Sequence, residues 1–434
     1  MSGPLVGVCG VAGLLALIFA RVPVGVALGV TGIVGYAALD GWHRAFLVLG
    51  RTPYDLASAY SLSVLPLFIL MGTVATRSGM SRELFEAANA VFAGRRGALS
   101  MATIGGCAGF AAISGSSVAT AATFTSIAVP EMRRYGYDLR LATGSIAAAG
   151  TLGILIPPSV IMVIYALLAE ESVPALFAAG MIPGILLAFL FVGVVWVIAQ
   201  VRPEWAPAGP SMPWRDRLRT AKAMWKLVLL FGLAVGGIYT GWFSPTEAAG
   251  VASFAAIAIA FGTRAMSSVG ELWACVLESL RTTALLMFII VGAWIFAYFV
   301  VQTRVPVLIV DVIRYLELSP WQVLLSIIVF YIILGCFLDS VAIIVVTVPV
   351  FLPVVLSIGY DAVWYGVLMV VVVEVGLITP PVGLNIFVIR AQLPDVPLGI
   401  MFRGIVPFLA ADAILIALLL IFPGIALWLP GVLY

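Results

Sequence analysis

Four short segments interrupt otherwise apolar runs with groups that can bind small ions. They are Ser114-Gly115-Ser116-Ser117, Gly153 with Pro157-Pro158-Ser159, Asp339-Ser340, and Gly376 with Thr379-Pro380-Pro381 and Asn385. Proline removes an intrahelical hydrogen bond and its ring clashes with the preceding turn, so a Pro-Pro pair after glycine leaves carbonyl oxygens free. It also exposes the dipole ends of two half-helices. Free carbonyls and hydroxyls suit Na⁺, while half-helix N-termini suit a carboxylate. Enzymatic groupings are missing: there is no HExxH or GxSxG and no nucleophile and base pair. His43 is the only histidine and lies in a polar connection, which argues against a His-based metal site or proton relay. Cys9, Cys107, Cys275 and Cys336 stand singly in apolar surroundings and read as buried structural residues.

The elements that must position these groups are membrane helices. With 63% hydrophobic and 10% charged residues and a mean hydropathy of +1.19, the 434-residue chain cannot cover a water-soluble surface. Apolar runs close to the ~20 residues that cross a bilayer occur at about 3–20, 22–40, 61–76, 141–168, 174–200, 227–242, 246–263, 282–301, 362–393 and 404–430. Stretches 100–130 and 321–353 are too long for one span and are broken by small or polar residues, so each reads as a helical hairpin dipping into the membrane. The start, Met1-Ser2-Gly3-Pro4, lacks the basic region of a cleaved signal peptide, and the first apolar segment is expected to be retained.

The four breaks belong to a repeat. Ser117-Val118-Ala119, Pro130, Gly136-Tyr137-Asp138, Gly153 and Pro157-Pro158 recur 223 residues later as Ser340-Val341-Ala342, Pro353, Gly359-Tyr360-Asp361, Gly376 and Pro380-Pro381. The expected organisation is repeat 1 over 1–201, a basic Pro-rich cytoplasmic linker over 202–226, and repeat 2 over 227–434. Interrupted segments at matching positions of two halves point to a transporter's binding site. Repeated in this way, they argue for function over simple helix kinks, with two cation sites flanking one anion site.

Charge sets the topology. Connections 77–99, 131–140 and 202–226 carry most of the basic residues and are expected on the cytoplasmic side, whereas Val354 to Val363 has none. The repeats are therefore read as inverted, although Arg44 and Arg51 fall in a connection counted as external. The linker, with Arg215-Asp216-Arg217-Leu218-Arg219, reads as a membrane-surface segment in contact with lipid rather than nucleic acid. Ser244-Pro245-Thr246-Glu247 reads as a capping box, with substrate contact the lesser reading of Glu247. Asp339 and Glu374 lie at membrane depth, where charge is costly and usually functional. For each, orienting a cation and serving as a protonated structural group remain open.

The strings SGSSVATAAT, VPEM, GTLGILIPPS, SPTEAAG and EVGLITPPVGLN resemble the large membrane subunit of tripartite ATP-independent periplasmic (TRAP) transporters, which take up dicarboxylates and sialic acid. The resemblance runs in order from about residue 60 to the end. It implies an all-α, multi-pass protein of the bacterial inner membrane with an elevator mechanism, in which two hairpins and two broken helices slide against a scaffold. It also implies a Na⁺ gradient with two or more Na⁺ sites, a periplasmic substrate-binding protein, and a small four-helix membrane subunit, here expected on a separate chain. Carried over, one Na⁺ site comprises Ser114, Gly115, Ser116 and Ser117 with Gly153, Pro157 and Pro158. The other comprises Asp339 and Ser340 with Gly376, Thr379, Pro380 and Pro381. Ser116, Ser159 and Asn385 are the expected contacts of an organic acid anion. The alternative is a Na⁺/carboxylate symporter that needs no binding protein; an ion channel would differ in lacking saturable, coupled uptake.

Overall fold

The computed structural model describes residues 3–209, 211–222 and 224–434. These are helices joined by turns, and among them the one β feature is an isolated bridge between Arg96 and Ala208. Seven helices are long and apolar enough to cross a bilayer, and the bent pair Leu139–Leu155 and Val160–Ala169 makes an eighth span.

The centre is built from two segments without a polar face. Leu139–Leu155 is buried from Leu141 onward, and Ala362–Ile378 is buried everywhere except at Val363. A helix that is apolar all round has no side to give to water and packs in a core. Both begin at the aspartate of a Gly-Tyr-Asp triplet. Asp138 accepts from the Arg140 amide (2.7 Å) and Asp361 from the Trp364 amide (2.9 Å). Gly136 and Gly359, at φ of 73° and 90°, end the preceding helices. The repeated triplet is thus a helix stop and a helix start fused in one turn.

Each repeat supplies a hairpin and a broken helix. The first hairpin, Ala98–Ser114 and Ser117–Arg134, goes in and comes back on one side: the Gly97 amide donates to the Pro207 carbonyl (3.3 Å) and the Asp138 amide to the Trp205 carbonyl (3.2 Å), so both ends stand on the same linker. The second is Pro320–Gly335 and Ser340–Ser357. The first broken helix bends by 43° at Ile156–Ser159. The second is interrupted over Thr379–Gly383 between Ala362–Ile378 and Leu384–Gln392.

Two contacts establish that the repeats are antiparallel. The Tyr165 hydroxyl donates to the Ala362 carbonyl (2.6 Å), so the first broken helix ends where the second begins. Arg133 pairs with Asp395 (2.7 Å), so the second ends where the first begins. Each returning hairpin helix also packs on the second half of the other repeat's broken helix, and Gln392, at the end of Leu384–Gln392, donates to the Ala122 carbonyl of repeat 1 (3.0 Å).

Several local expectations change. The linker is docked as well as basic: the Gly209 amide donates to Arg95 (3.3 Å), and the guanidinium groups of Arg140 and Arg202 lie 4.9 and 4.5 Å from the Trp205 ring centre. Its basic stretch forms Trp214–Lys222, where Arg217 donates to the Ala93 and Met212 carbonyls; Pro210 and Ala223 lie outside the described residues. The connection after residue 41 is a helix, Trp42–Ala57, on which Arg44 and Arg51 pair with Asp40 and Asp55 (3.4 and 3.0 Å). The span expected from 282 begins earlier, as Val269–Thr303, and 404–430 divides into Leu398–Ile421 and Gly424–Leu433. Ser244 and Glu247 form the capping box, which gives Glu247 its structural role. Cys107, Cys275 and Cys336 are buried, but Cys9 is exposed.

Candidate cation and anion site at the hairpin tips

Each hairpin tip closes on the break of its own repeat. In repeat 1, Gly115 adopts φ 60°, ending one helix, and Ser116 caps the next by accepting from the Ala119 amide (3.3 Å). A Cβ on Gly153 would lie 2.7 Å from the Ser116 carbonyl oxygen, so glycine is what allows tip and broken helix to meet. Ser114 and Thr120 hydroxyls lie 3.0 Å apart, and Thr120 donates to the Ser116 carbonyl (2.7 Å). In repeat 2, Asp339 does the capping, accepting from the Ala342 amide (3.4 Å). A Cβ on Gly335 would lie 2.7 Å from the Gly376 Cα, and the Cys336 thiol donates to the Pro380 carbonyl (3.2 Å). Ser116 and Asp339, matched in the repeat, therefore do the same local job with different charge.

The two tips then meet one another. Ser340 Oγ donates to Glu374 Oε1 (3.0 Å) and Ser117 Oγ to the same oxygen (3.5 Å). Glu374 is buried, and its Oε2 has no hydrogen-bond partner among the described residues. A carboxylate at this depth needs compensation. The arrangement offers a cation oxygen ligands from hydroxyl, carboxylate and loop carbonyls, the donor set that hard monovalent cations take.

A cavity of about 450 Å³ lies over both tips. Ser114, Gly115, Ser116, Ser117, Asp339 and Ser340 line it from the repeats, and Gly72, Thr73, Thr76, Arg77, Glu278 and Thr282 line it from facing helices. Arg77 is its only basic lining residue, and it pairs with Glu278 (2.7 Å).

The expected site residues divide into three groups. Ser114 to Ser117, Asp339 and Ser340 gather in the cavity. Gly153, Gly376, Thr379, Pro157 and Pro380 lie at the breaks outside its lining, and the breaks differ: Pro157 and Pro158 are buried, Pro380 and Pro381 exposed. Both Pro-Pro bonds are cis. Ser159 and Asn385, the expected anion contacts, lie outside the cavity lining. Ser159 is buried with its hydroxyl accepting from the Met162 amide (3.3 Å), and Asn385 is fully buried outside the cavity lining. Residues just past a helix break cap the following half-helix or point into its packing, and a one-dimensional sequence carries no side-chain direction. Arg77, Glu278 and Thr73 were missed. Arg77 had a signal, since it is the last residue of the 18-residue apolar span Tyr60–Arg77 and so stands at the end of that span.

Inverted repeats with re-entrant hairpins and broken helices that meet at one cavity define a secondary membrane transporter. The sequence profile described as "Tripartite ATP-independent periplasmic transporter, DctM component" matches residues 11–425, and the chain belongs to that family. The C4-dicarboxylate TRAP transporter large permease protein DctM of Pseudomonas aeruginosa is 40% identical over 87% of this chain and 88% of that one. The sialic acid TRAP transporter large permease protein SiaM of Vibrio cholerae is 30% identical over 96% of this chain and 97% of that one. Among solved structures, the Alcanivorax borkumensis YdaH transporter superposes with a TM-score of 0.59 at 15% identity, covering 88% of this chain and 89% of that one, a likeness of fold. The chain is a transporter permease rather than an enzyme.

Proposed function

We propose that this chain imports an organic acid anion together with Na⁺ across the bacterial inner membrane. A periplasmic binding protein delivers the anion, and a small four-helix membrane subunit completes the permease. The observation that carries this reading is the convergence of Ser117 and Ser340, from opposite repeats, on Glu374 Oε1 beneath a cavity whose one basic group is Arg77. The cavity volume, about 450 Å³, suits a small organic acid. The relatives named for C4-dicarboxylate and sialic acid support an acid as substrate.

Each tip with its break holds one Na⁺: Ser114, Gly115, Ser117, Gly153 and Pro157 on one side, Asp339, Ser340, Gly376, Thr379 and Pro380 on the other. Ser116 and the N-terminus of Ser117–Arg134 receive the substrate carboxylate, with Arg77 as counter-charge from the facing helix. A carboxylate cannot be carried through a low-dielectric barrier unless its charge is compensated, so the loaded site moves as a nearly neutral body and the half-loaded one does not. The hairpins and broken helices form the moving body. Val24–Asp40, Val64–Arg77, Pro245–Gly262 and Val269–Thr303 form the frame.

Ala119 is exposed in the cavity and tests this reading. In a variant lacking Cys9, Cys107, Cys275 and Cys336, Ala119→Cys is exposed to an impermeant thiol reagent from either side of the membrane. Labelling that changes sides with Na⁺ and substrate supports the moving-body mechanism. Labelling from one side under all conditions contradicts it.

A further inference from the structure

The wall of the cavity changes in polarity along the two helices that face the hairpin tips. On Val64–Arg77 the lining residues Arg77, Thr73 and Ile69 follow at every fourth position, and on Val269–Thr303 Glu278, Thr282 and Leu286 do the same. That spacing puts each set on one stripe of its helix, about 12 Å long at ~1.5 Å per residue. Arg77 pairs with Glu278 (2.7 Å) and Ser279 donates to Thr73 (3.3 Å), so the helices run in opposite directions and the stripes lie side by side in the same order. One end holds the charges, the middle the threonines, and the far end the alkyl groups of Ile69 and Leu286. The repeats add more alkyl surface: Val118, Val160, Val341 and Leu384, each half-buried, line the cavity from both hairpins and both broken helices.

Most hydroxyls of the lining are already engaged. Thr73, Thr76 and Thr282 donate to the carbonyls of Ile69, Gly72 and Glu278 in their own helices (2.9, 2.7 and 3.1 Å). Ser117 and Ser340 donate to Glu374, and Ser114 donates to Thr120, whose own proton is on the Ser116 carbonyl. Among the described residues, the lining hydroxyls that keep a free proton are those of Ser116 and Thr123. A sugar acid would therefore find few donors for its hydroxyls, and polar groups that lose water without full replacement cost affinity.

Charge selects against a second carboxylate. Arg77 is the only basic lining residue, while Glu278 and Asp339 both line the cavity. A dicarboxylate would bring its second charge among carboxylates with no further cationic side chain to meet it, and like charges brought together are costly.

We infer that this cavity takes a monocarboxylate with an apolar body, its carboxylate at the Arg77 end and its alkyl or aryl part against Ile69 and Leu286, rather than a dicarboxylate or a sugar acid. The inference rests on the reading of the chain as an organic acid transporter and narrows its substrate class. Ile69 and Leu286 are then the residues of the frame that determine specificity.

The test is isothermal titration of the permease with its small subunit in lipid nanodiscs at saturating Na⁺, without the binding protein, so that the cavity's own preference is read. The probes are the unbranched acids from acetate to hexanoate, succinate and glucuronate, and empty nanodiscs are titrated in parallel to subtract partitioning into lipid. Each added methylene should lower Kd by about fourfold, and hexanoate should bind more tightly than succinate and glucuronate. In Ile69→Thr and Leu286→Thr the fall in Kd should flatten for the longer acids, with acetate binding unchanged. Succinate or glucuronate binding as tightly as hexanoate, or a Kd that is flat across the series, overturns the inference while leaving organic acid transport intact. A series equal to wild type in both folded variants overturns the placement of the apolar end; should neither variant fold, the wild-type series decides alone. If none of these acids binds, the organic acid reading falls and the inference with it, an outcome distinct from binding without apolar preference.

Discussion

Ser117 and Ser340 stand at the same position of two inverted repeats and donate to one oxygen, Glu374 Oε1, at 3.5 and 3.0 Å. A pseudo-symmetric pair thus ends on a single asymmetric carboxylate, since Thr151 stands in repeat 1 where Glu374 stands in repeat 2. Hydrogen bonds to charged groups contribute roughly 1.5–3 kcal/mol each. Ser340→Ala, at the shorter bond, is expected to raise the Na⁺ concentration for half-maximal uptake by about tenfold or more, and Ser117→Ala by less. Because both act through Glu374, the double variant should show less than the sum of the two effects, read from a double-mutant cycle on Na⁺ dependence.

Gly153 and Gly376 are expected to tolerate no side chain. Alanine at Gly153 would press on the Ser116 carbonyl at 2.7 Å, and alanine at Gly376 on the backbone of Gly335 at 2.5 Å. Overpacking of this kind costs about 1–3 kcal/mol and here also parts the tip from its break. Uptake should fall severely in both variants, while Gly193→Ala, with nothing within 4 Å of its new Cβ, should transport normally.

The aspartates of the Gly-Tyr-Asp triplets should behave differently from the serines despite equal repetition. They cap helices, so Asp138→Ala and Asp361→Ala are each expected to lower stability by about 1 kcal/mol, seen as a lower Tm, with the Na⁺ dependence of uptake unchanged.

Arg77→Gln should raise the KM for an organic acid while leaving the Na⁺ dependence close to wild type. Its pair with Glu278 is half exposed at both ends, with side-chain exposures of 47% and 53%, and such pairs contribute only about 0–1 kcal/mol. Tm should therefore barely move, which separates loss of a substrate contact from loss of folding.

The Arg133–Asp395 pair gives a pH prediction outside the membrane. The hydrogen bond from Arg133 holds the Asp395 carboxyl below its ordinary pKa. A carboxyl with a folded pKa below its unfolded value stabilises the fold above the unfolded pKa, and that contribution is lost as pH falls through the folded one. Asp395→Asn should therefore differ in Tm from wild type near neutral pH and converge with it in acid. The difference should be small, because both groups face solvent.

The repeat, the four breaks, the antiparallel arrangement and the Ser244 capping box were legible because glycine, proline and capping residues act locally. Composition likewise gave the membrane class. Trp42–Ala57 and the first turns of Val269–Thr303 were not, because they are amphipathic and a search for continuous apolar runs passes over them. Asp412 sat unnoticed inside an apolar run, and its burial is set by the helices packed on Leu398–Ile421, not by its own neighbours in sequence. The burial of Ser159 and Asn385 is a matter of side-chain direction after a break, which depends on tertiary packing.

Uptake of organic acids by proteoliposomes holding this chain and its small partner subunit is the measurement closest to the central claim. It is made with and without an inward Na⁺ gradient and with and without the periplasmic binding protein. The account predicts accumulation only when both are present, and loss of accumulation when the Na⁺ gradient is dissipated. Accumulation that persists without any Na⁺ gradient would contradict it.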